Sequence, residues 1–183
     1  DNVLGVISDV RFPINGVKDS EAGLKLLRDI HKDNPYLPLI VESTESANRE
    51  KAEAEGFRFV DKNSKKMSID LRAIMEEHMG FGDFIFRDPK TKAEIMRIHS
   101  LKELQDNIFK IPDDSMLYHI SRNHMSRWLS ARAIFPVSEY LKKITWDRLK
   151  DITAHREIIF DAIVQYRHMK NLGVVAVFDR MKF

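Results

Sequence analysis

The chain has no cysteine, which excludes disulfides and thiolate-held zinc. That absence fits a reducing, cytoplasmic setting. No run approaches the roughly 20 apolar residues of a membrane-spanning helix, and no signal-peptide pattern opens the chain. A membrane partner is therefore not expected. A one-sided charge is missing too: 30 basic and 28 acidic residues leave a net +2, which gives no support to nucleic acid as a partner of the whole chain. Glycine-rich phosphate loops, H-E-x-x-H zinc patterns, internal repeats and low-complexity tracts are likewise absent.

What is present is ordinary for a globular protein: 43% hydrophobic and 32% charged residues in a chain of 183, room for one medium domain or two small ones. The chain starts at Asp1 and enters a strand pattern at Val3. It closes on Gly173-Val-Val-Ala-Val-Phe178, another strand-like run. A strand at each boundary reads as a piece of something longer.

Val3–Ile7, Pro38–Val41 and Phe57–Val60 are short continuous apolar runs, the pattern of strands buried on both faces. After each of them comes a helical pattern, at 21–33, 45–55 and 69–79. The first follows a Ser20 cap, and the second closes at Gly56. Pro13, Asn15, Gly16 and Asp19 mark turn chemistry across 10–19. Strand and helix alternating three times predict an α/β fold, a partial doubly wound parallel sheet of flavodoxin type. Aromatic and turn residues from 81 to 98 suggest a linker. Beyond it, helical patterns at 100–110, 115–135, 137–143 and 146–169 predict a mainly helical module over 99–183 that ends in a strand. The first domain is then 1–80.

Functional groups of an α/β sheet gather at the carboxyl ends of its strands. Asp9 ends the first strand, Ser43 and Thr44 the second, and Lys62 the third. A carboxylate, a hydroxyl and an ammonium meeting there could accept a phosphoryl group, with the carboxylate as nucleophile and the other two as donors to its oxygens. The plainer reading makes Asp9 a turn or cap acid and Lys62 a solvated loop lysine. The charged stretch 45–55 reads as a wet helix face.

These residues resemble the receiver domains of response regulators. The resemblance runs through Val6-Ile-Ser-Asp9-Val-Arg-Phe-Pro13, Gly23-Leu-Lys-Leu-Leu27, Pro38-Leu-Ile-Val-Glu-Ser43, Ala54-Glu-Gly56 and Phe59-Val-Asp-Lys62, within residues 3–78. It implies Asp9 as phosphoacceptor, Ser43 as switch hydroxyl with Thr44 as runner-up, and Lys62 as the phosphoryl-contacting lysine. It also implies a magnesium ion on Asp9 and the backbone carbonyl of Arg11. A phosphodonor kinase or a small phosphodonor would be the partner. Three departures stand out. The strand that precedes the family's acidic pair is absent, the segment from Pro13 to Gly23 is long, and Asn63 replaces the usual proline. A degenerate receiver that serves as a docking surface is the other variant.

Met116–Arg132 is the densest segment. As one helix it would put Leu117, Ile120, His124 and Trp128 on one stripe, and His119, Asn123 and Arg127 on the next. His119 and His124 are five apart, a poor spacing for one metal. A buried helix with satisfied polar groups is the simpler reading. An anion or partner site made by Arg122, Arg127 and Arg132 is the alternative. Tyr118-His119, Asn123-His124, Ser126-Arg-Trp-Leu129 and Ala131-Arg132, after Ile111-Pro112-Asp-Asp-Ser115, are similar to the phosphoenolpyruvate synthase and pyruvate phosphate dikinase group, in versions that carry a receiver-like N-terminal region. That resemblance implies an ATP-dependent phosphotransferase in the parent chain, with the residues here as its regulatory region and its catalytic domain as an intramolecular partner. ATP belongs to that parent and not to these residues, which show no catalytic constellation of their own. A stand-alone response regulator with a helical DNA- or protein-binding output is the second class.

Overall fold

A computed structural model describes residues 3–146 and 151–180, and of residues 172–180 the backbone alone. The chain divides into two compact units, 1–82 and 83–183.

In the first unit, strands β1 (Val6–Asp9), β4 (Leu39–Ser43) and β5 (Arg58–Asp61) form a parallel sheet in the order β1-β4-β5. The strand period of two explains its layers. From β4, Leu39 and Val41 pack on one side with Leu24 and Leu27 of α1 (Ala22–Asp33) and Ala52 of α2 (Asn48–Ala54). Ile40 enters the opposite cluster, beside Val60, Met79 and the Leu71, Ile74 and Met75 side chains of α3 (Met67–His78). Both faces are thus covered, which is why β4 reads as an unbroken apolar run until Glu42.

The expected helices and parallel strands are present with shifted ends. Ser20 does not cap α1: the N-cap position is Glu21, with no side-chain cap bond, and the Asp19 carboxylate accepts the Glu21 amide at 2.8 Å just ahead of the helix. Residues 10–19 are more than a turn. Strands β2 (Phe12–Ile14) and β3 (Val17–Asp19) make an antiparallel hairpin closed by Asn15 (φ 51°) and Gly16 (φ 81°). Two left-handed residues in succession are what a tight hairpin turn requires, and Asn-Gly supplies them at little steric cost. The long stretch between Pro13 and Gly23 is this hairpin.

The second unit starts earlier than the sequence suggests. Residues 81–98 are not a linker, because β6 (Phe84–Arg87) and β7 (Glu94–Ile98) pair as an antiparallel hairpin. Their Phe84, Phe86 and Ile98 side chains are buried in the unit's core with Met116, Trp128, Leu129 and Ile159. The inward–outward–inward burial of Phe84-Ile85-Phe86 is the strand signature that the aromatic composition concealed. Helices α4 (Leu101–Asn107), α5 (Asp113–Ile120), α6 (His124–Ala131), α7 (Phe135–Lys142) and α8 (Ile152–Arg180) complete the unit. The run 173–178 is not a strand but continues α8. A short apolar run fits either period, and here it extends an existing helix.

One helix over 115–135 is also corrected. Asn123 takes φ 55°, which ends α5 and starts α6 in a new direction. The stripes expected of a continuous helix therefore do not form: Leu117 is 44% exposed, whereas Trp128 is buried.

Candidate functional site at the sheet edge

The carboxyl ends of β1, β4 and β5 lie side by side because the strands are parallel and in register, with Asp9 opposite Glu42 and Ser43 opposite Asp61. Beyond β5, Lys62 donates its amide to the Ser43 carbonyl at 2.9 Å, and its side chain turns back across the rim. Its Nζ meets Asp9 Oδ2 at 2.6 Å and Glu42 Oε1 at 3.2 Å. One ammonium therefore serves two carboxylates.

The expected trio is brought together only in part. Asp9 and Lys62 touch. Ser43 sits one position past the residue facing Asp9 and is buried, and its hydroxyl accepts the Glu45 amide at 3.1 Å and the Asn48 side-chain amide at 3.0 Å. Thr44 is exposed at the strand end, where its carbonyl accepts the Asn63 side chain at 2.8 Å. The third member of the contact is Glu42, which sequence reasoning passed over. An acid inside the apolar run Leu39-Ile-Val-Glu42 was the available signal, since a buried strand admits a charge only when it is paired.

Two local devices hold the loop after β1. Gly23 donates its amide to the Val10 carbonyl at 3.0 Å, and its Cα lies against the Asp9 backbone. Arg11 pairs with Glu45 at 2.7 Å, linking the loop after β1 to the loop after β4. Asn63, in the place where the resemblance calls for proline, both bridges to Thr44 and donates its own amide to Asp61 at 2.8 Å. Proline could make neither bond.

Partial burial by itself would raise the Asp9 carboxyl. The Lys62 ammonium and the Arg11 and Val10 amides outweigh it and hold Asp9 below the usual carboxylate range. Lys62 is raised, chiefly by its hydrogen bond to Asp9, with burial opposing and Glu42 adding to the rise. The site therefore carries an ionised carboxylate over the whole physiological range. Among the described residues no group of three or more His, Cys, Asp or Glu side chains could hold a metal. Asp9 and the Arg11 carbonyl fall short of the six oxygens magnesium prefers, and Lys62 already occupies one Asp9 oxygen. These residues do not make a magnesium site by themselves.

In the second unit, Arg122, Arg127 and Arg132 have separate surroundings. Arg122 lies 4.3 Å over the Tyr118 ring, and Arg132 lies 4.1 Å over Trp128. Arg127 is half-buried on α6, and that burial pulls its guanidinium down to about 10. His119 and His124, five apart in sequence, do meet: the turn at Asn123 brings their Nδ1 atoms to 3.0 Å. His119 Nε2 accepts the Arg87 amide at 3.0 Å, so the neutral ring carries its proton on Nδ1 and donates it to His124. Burial, with the positive charges of Arg87, Arg122 and Lys92, depresses His119 to about 4. That is a satisfied core histidine rather than a metal ligand or a nucleophile.

No protein-family model, curated protein or solved structure matches this chain. Among the described residues no helix is long and apolar enough to cross a membrane.

Proposed function

We propose that the first unit is a receiver-type regulatory module with Asp9 as phosphoacceptor, coupled to a phosphoenolpyruvate synthase-like phosphotransferase in a longer parent chain. The observation that carries this reading is the 2.6 Å contact between Lys62 Nζ and Asp9 Oδ2 at the carboxyl rim of a parallel sheet. The order β1-β4-β5, with helices on both faces, suits the last three strands of a flavodoxin-like receiver. Strand β1 forms one edge of the sheet, the side on which such a receiver has further strands.

The chemistry balances with a phosphohistidine or acyl phosphate donor. An Asp9 carboxylate oxygen attacks phosphorus, the donor's P–N or P–O bond breaks, and the leaving group keeps that electron pair. No proton has to leave Asp9, because its carboxyl is already ionised. Lys62 stabilises the new phosphoryl oxygens, and a Ser43 hydroxyl released from Asn48 and Glu45 would donate to them. Added charge at Asp9 then biases the loops after β4 and β5 between two arrangements.

Glu42 favours a second reading. It already shares the ammonium with Asp9, so Lys62 is engaged and the rim keeps an excess negative charge without phosphate, as a docking module that takes none would. Intact-mass analysis of the longer parent chain, with the strand and acidic pair that precede Val3 in the family pattern, after treatment with acetyl phosphate and magnesium separates the two. One phosphoryl adduct that disappears in Asp9→Asn supports the acceptor. No adduct selects the docking module, and an adduct that survives Asp9→Asn refutes Asp9 as the acceptor.

A further inference from the structure

The second unit holds a pocket of about 590 Å³ between the β6–β7 turn, α5 and the start of α8. Its volume lies in the range of small-molecule sites. Its wall combines two chemistries. Lys90, Lys92 and Arg122 bring three cations, against Asp114 as the one acid among the lining residues. Trp146 supplies flat aromatic surface, and Tyr118 carries two of the cations on its ring.

The cations are placed rather than scattered. Asp88 accepts the Lys90 and Thr91 amides at 2.8 and 2.7 Å, which fixes the turn and directs the Asp88 charge into its own loop. Lys92 takes φ 62°, an uncommon conformation for a residue with a side chain, and its ammonium lies 4.4 Å over Tyr118. Arg122 lies over the same ring at 4.3 Å, so Tyr118 supports a cation from each of two elements. Trp146 stacks on the buried His155 ring with centroids 5.3 Å apart. Both His155 nitrogens face carbonyl oxygens, of Asp151 at 2.7 Å and Trp146 at 3.1 Å. The nitrogen that carries the ring proton donates to its carbonyl, and that bond holds the stack against the wall.

We propose that this pocket binds a mononucleotide, with the phosphate on Lys90, Lys92 and Arg122 and the base against Trp146. An inorganic anion would use the cations and leave most of the volume empty. An apolar ligand would fill the volume and leave three cations facing it. A phosphorylated molecule with a planar ring satisfies both halves. The site belongs to the second unit and does not depend on the reading of Asp9.

Calorimetric titration of the full chain with AMP, GMP, CMP and UMP tests it, with adenosine and inorganic phosphate as controls. Saturable binding of a mononucleotide is expected, with phosphate or nucleoside alone weaker by about tenfold or more, the worth of one charge-assisted contact. The exposed Lys90→Ala and Lys92→Ala should each weaken binding several-fold without changing the thermal melt, and bound nucleotide should quench Trp146 fluorescence. Absence of saturable binding up to millimolar mononucleotide overturns the proposal. So does phosphate binding as tightly as the nucleotide, which would mark an anion site only. Affinity unchanged in both lysine variants places any binding elsewhere and overturns it as well.

Discussion

Gly23 packs its Cα against the Asp9 backbone so closely that a Cβ there would overlap the Asp9 carbonyl group. The first turn of α1 thereby braces the end of β1. Because the obstructing atoms are backbone, Gly23→Ala must move the helix or the strand. Overpacking of this kind costs about 1–3 kcal/mol, and urea unfolding of the first unit should show that loss. An unchanged midpoint would mean that the contact relaxes freely and does not brace the loop.

Lys62 gives the sheet edge its pH dependence. The Asp9 carboxyl is lowered in the folded chain, so its stabilisation is present above the unfolded value of 3.8 and fades as pH falls through the lower folded value. The Lys62 ammonium is raised, so its share is present below 10.5 and fades only as pH climbs past the higher folded value. Lys62→Met should therefore destabilise the unit across the neutral range, with the deficit shrinking below about pH 4. Both partners are partly exposed, which limits the effect to about 1 kcal/mol. A deficit that persists undiminished at pH 2 would point to lost packing of the lysine stem instead.

His119 works in the opposite sense to a paired histidine. Its folded value lies near 4 against 6.5 unfolded, so between those limits the unfolded chain binds the proton and the folded chain does not. Stability of the second unit should fall as pH drops from 6.5 towards 4, by up to about 3 kcal/mol from this group, and then level. The His119 ring resonances should not titrate between pH 7 and 5. Titration near 6.5 would show that the ring reaches water, against its burial and its bonds to Arg87 and His124.

The parallel sheet was legible because residues such as Ile40 and Val41 must be apolar when both faces are covered. Asp9 and Lys62 could be found because an acid and a lysine ended such runs. Glu42 was hidden, because its placement depends on which residue faces Asp9 across the ladder, and register is a property of two strands. The β2–β3 hairpin carried its own signal in Asn15-Gly16, masked by Pro13 on an edge strand. The β6–β7 hairpin was obscured by aromatics that alternate over too few residues to reveal a period. The break at Asn123 left no trace either, since no glycine or proline marks it and a single left-handed residue redirects the chain. Without that break His119 and His124 could not meet.

Arg156 shows how far a buried charge can be invisible in sequence and still organise a fold. It sits on α8, only 6% exposed, within a stretch that the sequence marks simply as helical. Its guanidinium donates to the Ile108 carbonyl at 3.2 Å, to the Ile111 carbonyl, and to Asp113 at 2.8 Å. Those carbonyls lie in and just after the short 3-10 turn that follows α4, where the helical hydrogen-bond ladder ends. The planar fork of arginine serves three acceptors in one place, a geometry that lysine's single ammonium does not reproduce. Arg156→Met should keep the stem's packing while leaving two carbonyls without these donors, at a cost of about 3–5 kcal/mol. Arg156→Lys should recover only part of it. Guanidinium unfolding of the three proteins would read this directly, and a methionine variant as stable as the parent would show that solvent satisfies those carbonyls.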